Sequence, residues 1–529
     1  MSTTTADATP IAAPTGPRVA PRTLGAVAGI VAGGSALAIG ELFAAFVTGA
    51  PSPVAAVGAA LIDFAPPGSK DIIVGLFGTN DKPALLLLVT LAVLAVAAAL
   101  GMVGRTRPAV AMAGIVVLVG IGLLASIRLA EAQLTTALLS AALQAIVGIQ
   151  VLSVLLAAAP STGAPGTGSA SPNTRRGFLL RAGGLGALAV VGGGLGRTML
   201  EGRATQVATA GAEIPQPVAP VPTPAPDSSF DIAGLTPLVV PNAEFYRIDT
   251  ALVTPSVDVS TWTLRVHGMV RNEVTLTFAQ LLELPLHEQY ITIACVSNEV
   301  GGQLVGNAKW TGVRLTDVLD MAEVLPGATQ IVPRSIDDWA AGFPTEWVTA
   351  PERPRDALIA VKMNDEPLPA AHGFPARLIV PGLYGYVSAT KWLSELELTT
   401  LEAFDAYWVP RGWAKEAPIL TQSRIDVPNR NARVAAGPVA VAGVAWAPDR
   451  GVSRVEVQVD DGDWQDATIA TPLGPQTWVQ WKLAWQATAG NHTLTVRATD
   501  GLGEVQTDTV TRPDPDGARG YHRIAVSVA

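Results

Sequence analysis

The chain contains the segment Tyr290-Ile-Thr-Ile-Ala-Cys295-Val-Ser-Asn-Glu-Val-Gly-Gly302, in which an apolar, β-like run meets a polar, glycine-rich turn at the only cysteine in 529 residues. A solitary cysteine cannot form a disulfide within its own chain, and it is usually a small buried hydrophobe. At the end of a strand that faces a loop, a thiolate can also meet a large ligand, and soft thiolates suit soft or high-valent metals. The segment therefore predicts either a structural thiol or a metal ligand.

A second segment supplies groups that could hold such a ligand. It reads His372-Gly-Phe-Pro-Ala-Arg377-Leu-Ile-Val-Pro-Gly-Leu-Tyr-Gly-Tyr-Val-Ser388-Ala-Thr390-Lys391-Trp392. One imidazole and two cations bracket a glycine-rich loop. Such a set can clamp an anionic cofactor by charge-assisted hydrogen bonds.

Together the two segments resemble the sulfite oxidase family of molybdenum-cofactor oxidoreductases, in its membrane-anchored bacterial form. The resemblance covers residues 235 to 529 and rests on further motifs, which are Phe245-Tyr246-Arg247, Asn307-Ala-Lys-Trp310-Thr-Gly-Val-Arg-Leu315 and Met363-Asn-Asp-Glu-Pro-Leu-Pro369. It implies an enzyme with an α+β molybdopterin domain at 235–420, followed by a dimerisation domain at 421–529.

The residues themselves favour the same division of this half. Apolar runs such as Trp262-Thr-Leu-Arg-Val-His267 alternate with amphipathic stretches such as Leu315-Thr-Asp-Val-Leu-Asp-Met-Ala322, which predicts an α+β domain. Beyond about residue 435 the pattern has period two, with a Gly-Asn turn before His492, and this predicts an all-β immunoglobulin-like sandwich. In the resembling family that domain pairs subunits, so a homodimer is implied by the resemblance.

The resemblance also assigns roles to individual residues. Molybdenum would be bound by the dithiolene sulfurs of a molybdopterin and by the Cys295 thiolate, and Arg247 would be the cation that faces an anionic substrate. The residues implied in cofactor binding are Tyr246, Arg247, Cys295, Asn298, His372, Arg377, Ser388, Thr390 and Lys391. Cys295 and Arg247 are the implied catalytic residues, and Cys295 is the implied metal ligand.

Three positions depart from the sulfite-oxidising pattern. Glu299 stands where those enzymes have an arginine, Val361 where they have a tyrosine, and Asp249 where they have a histidine. A carboxylate makes a pocket less favourable for a dianion, and Val361 resembles the exported bacterial sulfoxide reductases. Sulfite or a related small oxyanion remains the first expected substrate. The alternatives are a methionine-sulfoxide-type reductase and a non-catalytic, membrane-tethered binding module.

Residues 1–200 differ in composition from the rest of the chain. They contain 11 Lys+Arg and 6 Asp+Glu, whereas the whole chain has a net charge of −9 and all 12 tryptophans lie beyond residue 260. Five apolar stretches are long enough to cross a hydrocarbon core, and they lie at 24–48, 83–104, 108–127, 133–158 and 177–199. This pattern predicts an all-α transmembrane bundle in contact with membrane lipid.

Basic residues set the expected orientation of this bundle. They flank the first, second, third and fifth stretches on sides that would all be cytoplasmic by the positive-inside rule. Five crossings then place the catalytic domain on the extracytoplasmic side of a multi-pass plasma-membrane protein. The proline-rich segment 201–234 is expected to be an extended linker, and the segment 71–82 is expected outside the membrane.

Arg175 and Arg176 open the fifth stretch, and residues 174–180 look like an internal twin-arginine export signal. A cofactor that is inserted in the cytoplasm requires export of a folded protein, which such signals serve. The alternative interpretation is an ordinary positively charged flank of a membrane helix.

Electrons must reach or leave the site through another molecule. All five histidines lie outside the apolar stretches and no Cys-x-x-Cys-His occurs, so we expect no haem, and no glycine motif after a strand indicates a nicotinamide. The expected partner is an external cytochrome or quinone-linked protein. The acidic charge beyond residue 200 disfavours nucleic acid. Glu41 is the one clear carboxylate within an apolar stretch, and its place near the outer end favours a solvated or snorkelling side chain.

Overall fold

The computed structural model describes residues 22–65, 81–130, 132–159, 172–209, 213–354 and 356–529. The chain divides into two compact units, Met1–Leu200 and Glu201–Ala529. Most of the segment 71–82, which we expected outside the membrane, lies outside the described residues.

The first unit is helical. Its helices are α1 (Arg22–Phe46), α2 (Pro53–Asp63), α3 (Asp81–Gly104), α4 (Pro108–Ser126), α5 (Leu134–Ala158) and α6 (Pro172–Thr209), the last of which continues into the second unit. Five of them are long and apolar enough to cross a membrane, by length and composition. The short helix α2 was not predicted, and α6 continues to Thr209 within the segment expected to be an extended linker.

Helix α2 begins where the sequence provides a cap. The side chain of Ser52 accepts a hydrogen bond from the Ala55 amide at 3.1 Å, and Pro53 occupies the first helical position, where no amide hydrogen is required. The same region corrects one expectation. Glu41 does not snorkel to solvent, because only 6% of it is exposed and its carboxylate accepts a hydrogen bond from the Ser52 hydroxyl.

The second unit begins with an α+β domain that contains two sheets. One sheet has the strand order β2-β1-β10-β5-β6, and in the other the order is β3-β4-β7-β8 with β9 also paired to β7. The strands are β1 (Thr263–Gly268), β2 (Val274–Thr277), β3 (Leu286–Ala294), β4 (Val305–Arg314), β5 (Gln330–Ser335), β6 (Phe343–Pro344), β7 (Leu358–Met363), β8 (Glu366–Pro367), β9 (Arg377–Ile379) and β10 (Leu393–Thr399). The helices are α7 (Phe278–Leu282), α8 (Leu315–Ala322), α9 (Glu346–Thr349) and α10 (Gly385–Ser388).

The remainder of the second unit is a sandwich of two sheets, ordered β11-β13-β17-β16 and β12-β19-β18-β14-β15. The strands are β11 (Gln422–Val427), β12 (Ala432–Val434), β13 (Gly437–Trp446), β14 (Val452–Val459), β15 (Trp464–Asp466), β16 (Thr468–Ile469), β17 (Val479–Ala487), β18 (Gly490–Asp500) and β19 (His522–Val528). Alternate side chains such as Val455 and Val457 of β14 are fully buried between the sheets. The predicted order of an α-helical region, an α+β domain and an immunoglobulin-like domain is therefore confirmed.

Two connections of the α+β domain place the chemically interesting segments. Cys295 follows β3 directly, at the sheet edge where Ala294 pairs with Val305. The turn from His372 leads into β9, which pairs with β7 through Arg377 and Ala360. Rigid strands therefore hold the residue before Cys295 and hold Arg377 itself.

Candidate active site

A short, closed loop positions Cys295. The Cys295 amide donates to the Leu304 carbonyl at 2.9 Å, and the Asn298 side-chain oxygen accepts from the Leu304 amide at 2.8 Å. The Cys295 sulfur lies 2.9 Å from the Ser297 hydroxyl oxygen. Asn298 thus uses its Oδ1 to hold the loop, and Cys295 sits at the loop's fixed start, where only 8% of the residue is exposed.

The immunoglobulin-like domain reaches the outer side of this loop. Arg424, only 1% exposed, donates to the Gly302 carbonyl at 2.8 Å and pairs with Asp426 at 2.6 Å. The ring of His522 packs against Gly301 so closely that a Cβ there would lie 2.3 Å from its Nε2. Neither residue was predicted from the sequence, because no local pattern indicates a contact between segments so far apart.

Three buried polar atoms in the second segment have no hydrogen-bond partner among the described residues. They are His372 Nδ1, Arg377 Nε and Thr390 Oγ1. Buried polar groups in native proteins are almost always paired, so each such atom requires an explanation. The three belong to neighbouring residues, because Arg377 also donates to the His372 carbonyl at 3.3 Å and the Leu378 amide donates to the Thr390 carbonyl at 2.9 Å.

The hydrogen-bonding types of these atoms can be assigned. His372 Nε2 lies 2.9 Å from the Asn242 carbonyl, which can only accept, so Nε2 carries the proton and Nδ1 is an acceptor. The Arg377 Nε–H is a donor, and the Thr390 hydroxyl can serve as either. The site therefore offers an acceptor beside donors, which fits a heterocycle with mixed polar edges.

A glycine keeps the space between these residues open. Gly373 has φ +115°, and a Cβ there would lie 3.0 Å from the Lys391 Cα and 3.2 Å from the Arg377 Cβ. A larger residue would be strained and would press on both cationic residues. The His-Gly pair in the sequence thus reflects a steric requirement.

The cations of the site have unequal partners. Lys391 Nζ lies 2.8 Å from Asp249 Oδ2 and 2.9 Å from the Ala371 carbonyl oxygen. Arg247 Nε lies 3.1 Å from the same Asp249 oxygen, and 43% of the Arg247 side chain is exposed. Asp249, which we had noted only as a departure, therefore joins Arg247 and Lys391, whereas Arg377 makes no ion pair among the described residues.

Burial dominates the electrostatics. Burial, together with the nearby Arg377 and Lys391 cations, lowers the pKa of His372 to about 4, so the ring is neutral at neutral pH. Burial also lowers the pKa of Arg377 to about 10 and that of Lys391 to about 8, while Asp249 acts in the opposite direction on both. A buried cation with a lowered pKa is a site at which an anionic ligand would be stabilised.

Tyr246 and Ser388, which the resemblance also implies in cofactor binding, are not among the residues with unpartnered buried atoms. Burial raises the pKa of Tyr246, and an electrostatic contribution from Cys295 acts in the same direction, so the phenol remains a hydrogen-bond donor. The Ser388 hydroxyl donates to the Leu383 and Tyr384 carbonyls at 2.9 and 3.0 Å, so it is already used within its own loop. Burial raises the pKa of Tyr384 as well, with a contribution from Cys295, and sequence reasoning did not single this tyrosine out.

The departures from the sulfite-oxidising pattern occupy different environments. Val361 is fully buried in β7 and belongs to the domain core. Glu299 lines a polar groove of about 480 Å³ between the Cys295 loop and the immunoglobulin-like domain, together with Gln303, Asp426 and Arg430. Glu299, which stands where the resemblance implies an arginine, therefore lies in the loop that follows the thiol.

Within the described ranges no group of three or more His, Cys, Asp or Glu residues could hold a metal ion. The donor set does fit a cofactor that brings its own metal ligands, accepts a thiolate from Cys295 and carries polar edges and an anionic group. Such a ligand would provide hydrogen-bond partners for the unpaired atoms of His372, Arg377 and Thr390.

Family models match both parts of the second unit. Residues 251–408 match the oxidoreductase molybdopterin binding domain, and residues 422–496 match the bacterial Ig domain. These matches support a molybdopterin-binding oxidoreductase domain followed by an immunoglobulin-like domain.

Individual proteins are also similar in sequence to this chain. The mitochondrial sulfite oxidase of Mus musculus is 30% identical over 322 residues, which are 51% of this chain and 58% of that protein. Sulfite oxidase of Arabidopsis thaliana is 26% identical over 286 residues, 45% of this chain and 72% of that protein. Nitrate reductase [NADH] 1 of Oryza sativa subsp. japonica is 31% identical over 177 residues, 29% of this chain and 19% of that protein.

The chain thus spans 58% of the length of the mouse protein. Among solved structures, the sulfane dehydrogenase SoxCD from Paracoccus pantotrophus matches with a TM-score of 0.48 and 24% identity. That match covers 57% of this chain and 85% of the other.

Proposed function

Because this chain belongs to the sulfite oxidase family of molybdopterin-dependent oxidoreductases, we propose that it transfers an oxygen atom, with two electrons, to or from a small sulfur-containing substrate. Sulfite or a related small oxyanion is the substrate that we place first. The observation that carries the proposal is the presence of three unpartnered buried polar atoms on the neighbouring residues His372, Arg377 and Thr390, in the segment that bears the family motif.

The residues divide into those that would bind the cofactor and those that would meet substrate. Arg377 and Lys391 would bind its anionic group, because both are buried cations whose charge burial disfavours. His372 Nδ1 and the Thr390 hydroxyl would bind its polar edges, and Tyr246 would donate from the side of Cys295. Asn298 and Ser388 would hold the surrounding loops in place.

The Cys295 thiolate is the proposed protein ligand of the metal. When bound, the cofactor supplies two-electron redox chemistry with an exchangeable oxygen. In sulfite oxidation, water provides the oxygen that joins sulfur, and two protons and two electrons leave. The chain's contribution is to fix the thiolate through the Cys295–Leu304 pairing and to shield Cys295 from bulk solvent.

Arg247 is the proposed cation for an anionic substrate. Its guanidinium is partly exposed, and it shares Asp249 with Lys391, so its attraction for an anion is reduced but not cancelled. Its Nη2 donates to the Thr254 hydroxyl at 3.0 Å, which holds the side chain in one orientation.

A second candidate function, the reduction of a sulfoxide, is favoured by the charges around the site. Glu299 places a carboxylate in the loop after Cys295, and Asp249 partly neutralises Arg247, so the surroundings are less cationic than a dianion would require. A sulfoxide is neutral and would not be repelled. In that direction two electrons and two protons enter, the sulfur–oxygen bond breaks, and a thioether and water leave.

We further propose that the helices of the first unit anchor the enzyme in the plasma membrane, with the catalytic domain outside and the electron partner a cytochrome or quinone-linked protein. The five long apolar helices support this placement. Residues 174–180 would act as the export signal, so replacing Arg175 and Arg176 by lysine should leave the second unit on the cytoplasmic side. Unchanged external accessibility of that unit would argue against the signal. Homodimer formation through residues 421–529 belongs to the same proposal.

The test of the function is a pair of assays on full-length enzyme matured in a host that makes the cofactor. One follows sulfite-dependent reduction of an electron acceptor, and the other follows sulfoxide-dependent oxidation of a reduced dye. Sulfite oxidation should lose kcat/KM when Arg247 becomes glutamine, whereas reduction of a neutral sulfoxide should not. Activity with neither substrate in cofactor-loaded protein would reject both candidates.

A further inference from the structure

The helical unit contains a polar site that the proposed catalytic function does not use. In the last third of α1, Glu41 is 6% exposed. Its Oε1 accepts from the Ser52 hydroxyl at 2.6 Å and from the Val54 amide at 3.4 Å. Its Oε2 is buried and has no hydrogen-bond partner among the described residues. One oxygen of the carboxyl is thus held at the start of α2, while the other is desolvated and unsatisfied.

The packing around Glu41 limits what could satisfy this oxygen. A Cβ on Gly196 of α6 would lie 2.8 Å from the backbone carbon of Glu41. A Cβ on Gly40 would lie 2.8 Å both from Gln144 Cδ of α5 and from Pro53 Cγ of α2. Glycine at both positions lets three helices close on this part of α1. The surroundings therefore suit a proton far better than a ligand of several heavy atoms.

Among the described residues of the helical unit, few charged groups lie near Glu41. Helix α5 carries no charged residue, α2 carries only Asp63 at its far end, and α6 brings Arg197, whose positive charge interacts with Glu41. A carboxylate buried among apolar helices is costly, and a bound proton removes that cost. The Arg197 charge offsets part of the cost of the charged form.

We propose that Glu41 is a proton-binding site of the helical unit, which takes up and releases its proton through the hydroxyl of Ser52. Ser52 is well placed for the relay, because its hydroxyl donates to Glu41 Oε1 and it follows a partly exposed turn after α1. A proton delivered through this hydroxyl arrives on Oε1, which then donates to the Ser52 oxygen, and Oε2 becomes the uncharged carbonyl oxygen of the acid. Membrane carboxylates of this kind form proton relays. The site is independent of the molybdopterin site, so either proposal can fail alone.

The experiment is carbodiimide labelling of the full-length protein in detergent, with peptides analysed by mass spectrometry. Dicyclohexylcarbodiimide reacts with a protonated carboxyl group. The acid proton moves to a carbodiimide nitrogen, the carboxyl oxygen bonds to the central carbon, and rearrangement gives a stable N-acylurea. We expect the peptide that contains Glu41 to be labelled near neutral pH, and labelling should fall as the pH rises. Asp63, which is exposed at the end of α2, is the control carboxylate for access of the reagent.

A variant tests the relay partner. Ser52→Ala removes the donor that stabilises the charged form, so labelling of Glu41 should persist to higher pH than in wild type. Glu41→Gln should abolish the label in that peptide. The wild-type measurement stands even where a variant does not fold. The proposal is overturned if Glu41 stays unmodified at every pH tested in samples in which Asp63 reacts, or if its labelling does not change with pH.

Discussion

Arg424 in the first strand of the immunoglobulin-like domain donates a 2.8 Å hydrogen bond to the carbonyl of Gly302, in the loop that begins with Cys295. The guanidinium is almost fully buried and also pairs with Asp426 and with the Thr236 hydroxyl. The second domain therefore supports the segment that presents the thiol. Its role extends beyond the subunit pairing that the resemblance implies.

The first prediction concerns this support. Arg424→Gln should loosen the loop and raise the reaction rate of Cys295 with a thiol reagent in cofactor-free protein. Hydrogen bonds to charged groups contribute ~1.5–3 kcal/mol, so an increase of about tenfold is expected if most of that energy holds the loop closed. The sole cysteine makes the assay unambiguous.

Arg450→Gln is the matched control. Arg450 lies in the same domain and bonds to the Ile419 carbonyl and Asp500, away from the Cys295 loop. Equal thiol reactivity in the two folded variants would contradict the prediction. Arg424→Lys, which keeps a positive charge, provides a milder variant for the case in which Arg424→Gln does not fold.

The second prediction separates binding from stability at Arg377. Arg377→Gln should weaken retention of the pterin at least ~10-fold, because a charge-assisted bond is lost. The same change should leave cofactor-free protein as stable or stabilise it by roughly 1 kcal/mol, because an uncompensated buried charge disappears. Pterin content and thermal unfolding measure the two effects. Arg334→Gln, at a residue ion-paired with Glu395 and Glu397, is the control and should not affect pterin content.

The third prediction concerns the pH dependence of cofactor uptake. The pKa of Lys391 is lowered to about 8, so its ammonium loses the proton as the pH rises through that value. The charged form attracts the anionic group, so uptake by cofactor-free protein should weaken above about pH 8. Lys391→Gln should bind weakly with a flatter profile, and Lys391→Arg should keep its affinity at the higher pH. An unchanged profile in Lys391→Gln would exclude this residue as the titrating group.

The fourth prediction concerns acid stability. His522 Nδ1 accepts from the Ile425 amide at 3.0 Å, and burial lowers the pKa of His522 to about 4. An unfolded histidine titrates near ~6.5, so between these values the unfolded chain binds more protons and stability falls as the pH falls. The pKa of His372 is also lowered, so this residue likewise makes stability fall as the pH falls. Asp356 has the opposite effect on stability. Burial raises its pKa to about 6, so the folded state binds the extra proton and stability rises as the pH falls through that value.

His522→Asn keeps an acceptor for the Ile425 amide and removes the titration, so it should reduce the acid loss of stability. Tryptophan fluorescence is a suitable readout, because all 12 tryptophans lie beyond residue 260. His492→Asn is the control. The hydrogen bond that His492 donates to Asp460 raises the pKa of His492, so removing this histidine should not lessen the acid loss of stability. An identical pH dependence in wild type and His522→Asn would contradict the assignment.

Much of the fold was accessible from the sequence where the pattern is local. The stretch expected at 83–104 corresponds to Asp81–Gly104, because apolar residues run without interruption between charged ends. The amphipathic run Leu315–Ala322 is a helix, and the period-two pattern beyond residue 435 forms the sandwich. In these cases the side-chain periodicity and the secondary structure have the same physical cause.

What the sequence could not provide are contacts between distant segments. The depth of Glu41 along α1 was predictable, but its burial depends on which helices cover that face. The same holds for Arg424 and His522, which meet the Cys295 loop only through the packing of two domains. The segment from His372 to Lys391 was recognised by its motif, whereas the pairing of Lys391 with Asp249 required the folded chain.

The most direct test of the central claim is X-ray absorption at the molybdenum edge, on cofactor-loaded full-length wild type and Cys295→Ser. Wild type should contain molybdenum and pterin in amounts equal to the chain, and its molybdenum should have one more sulfur ligand than in the variant. The same sulfur count in both proteins, or wild type without molybdenum after maturation in a host that makes the cofactor, would contradict the assignment of Cys295 as the metal ligand.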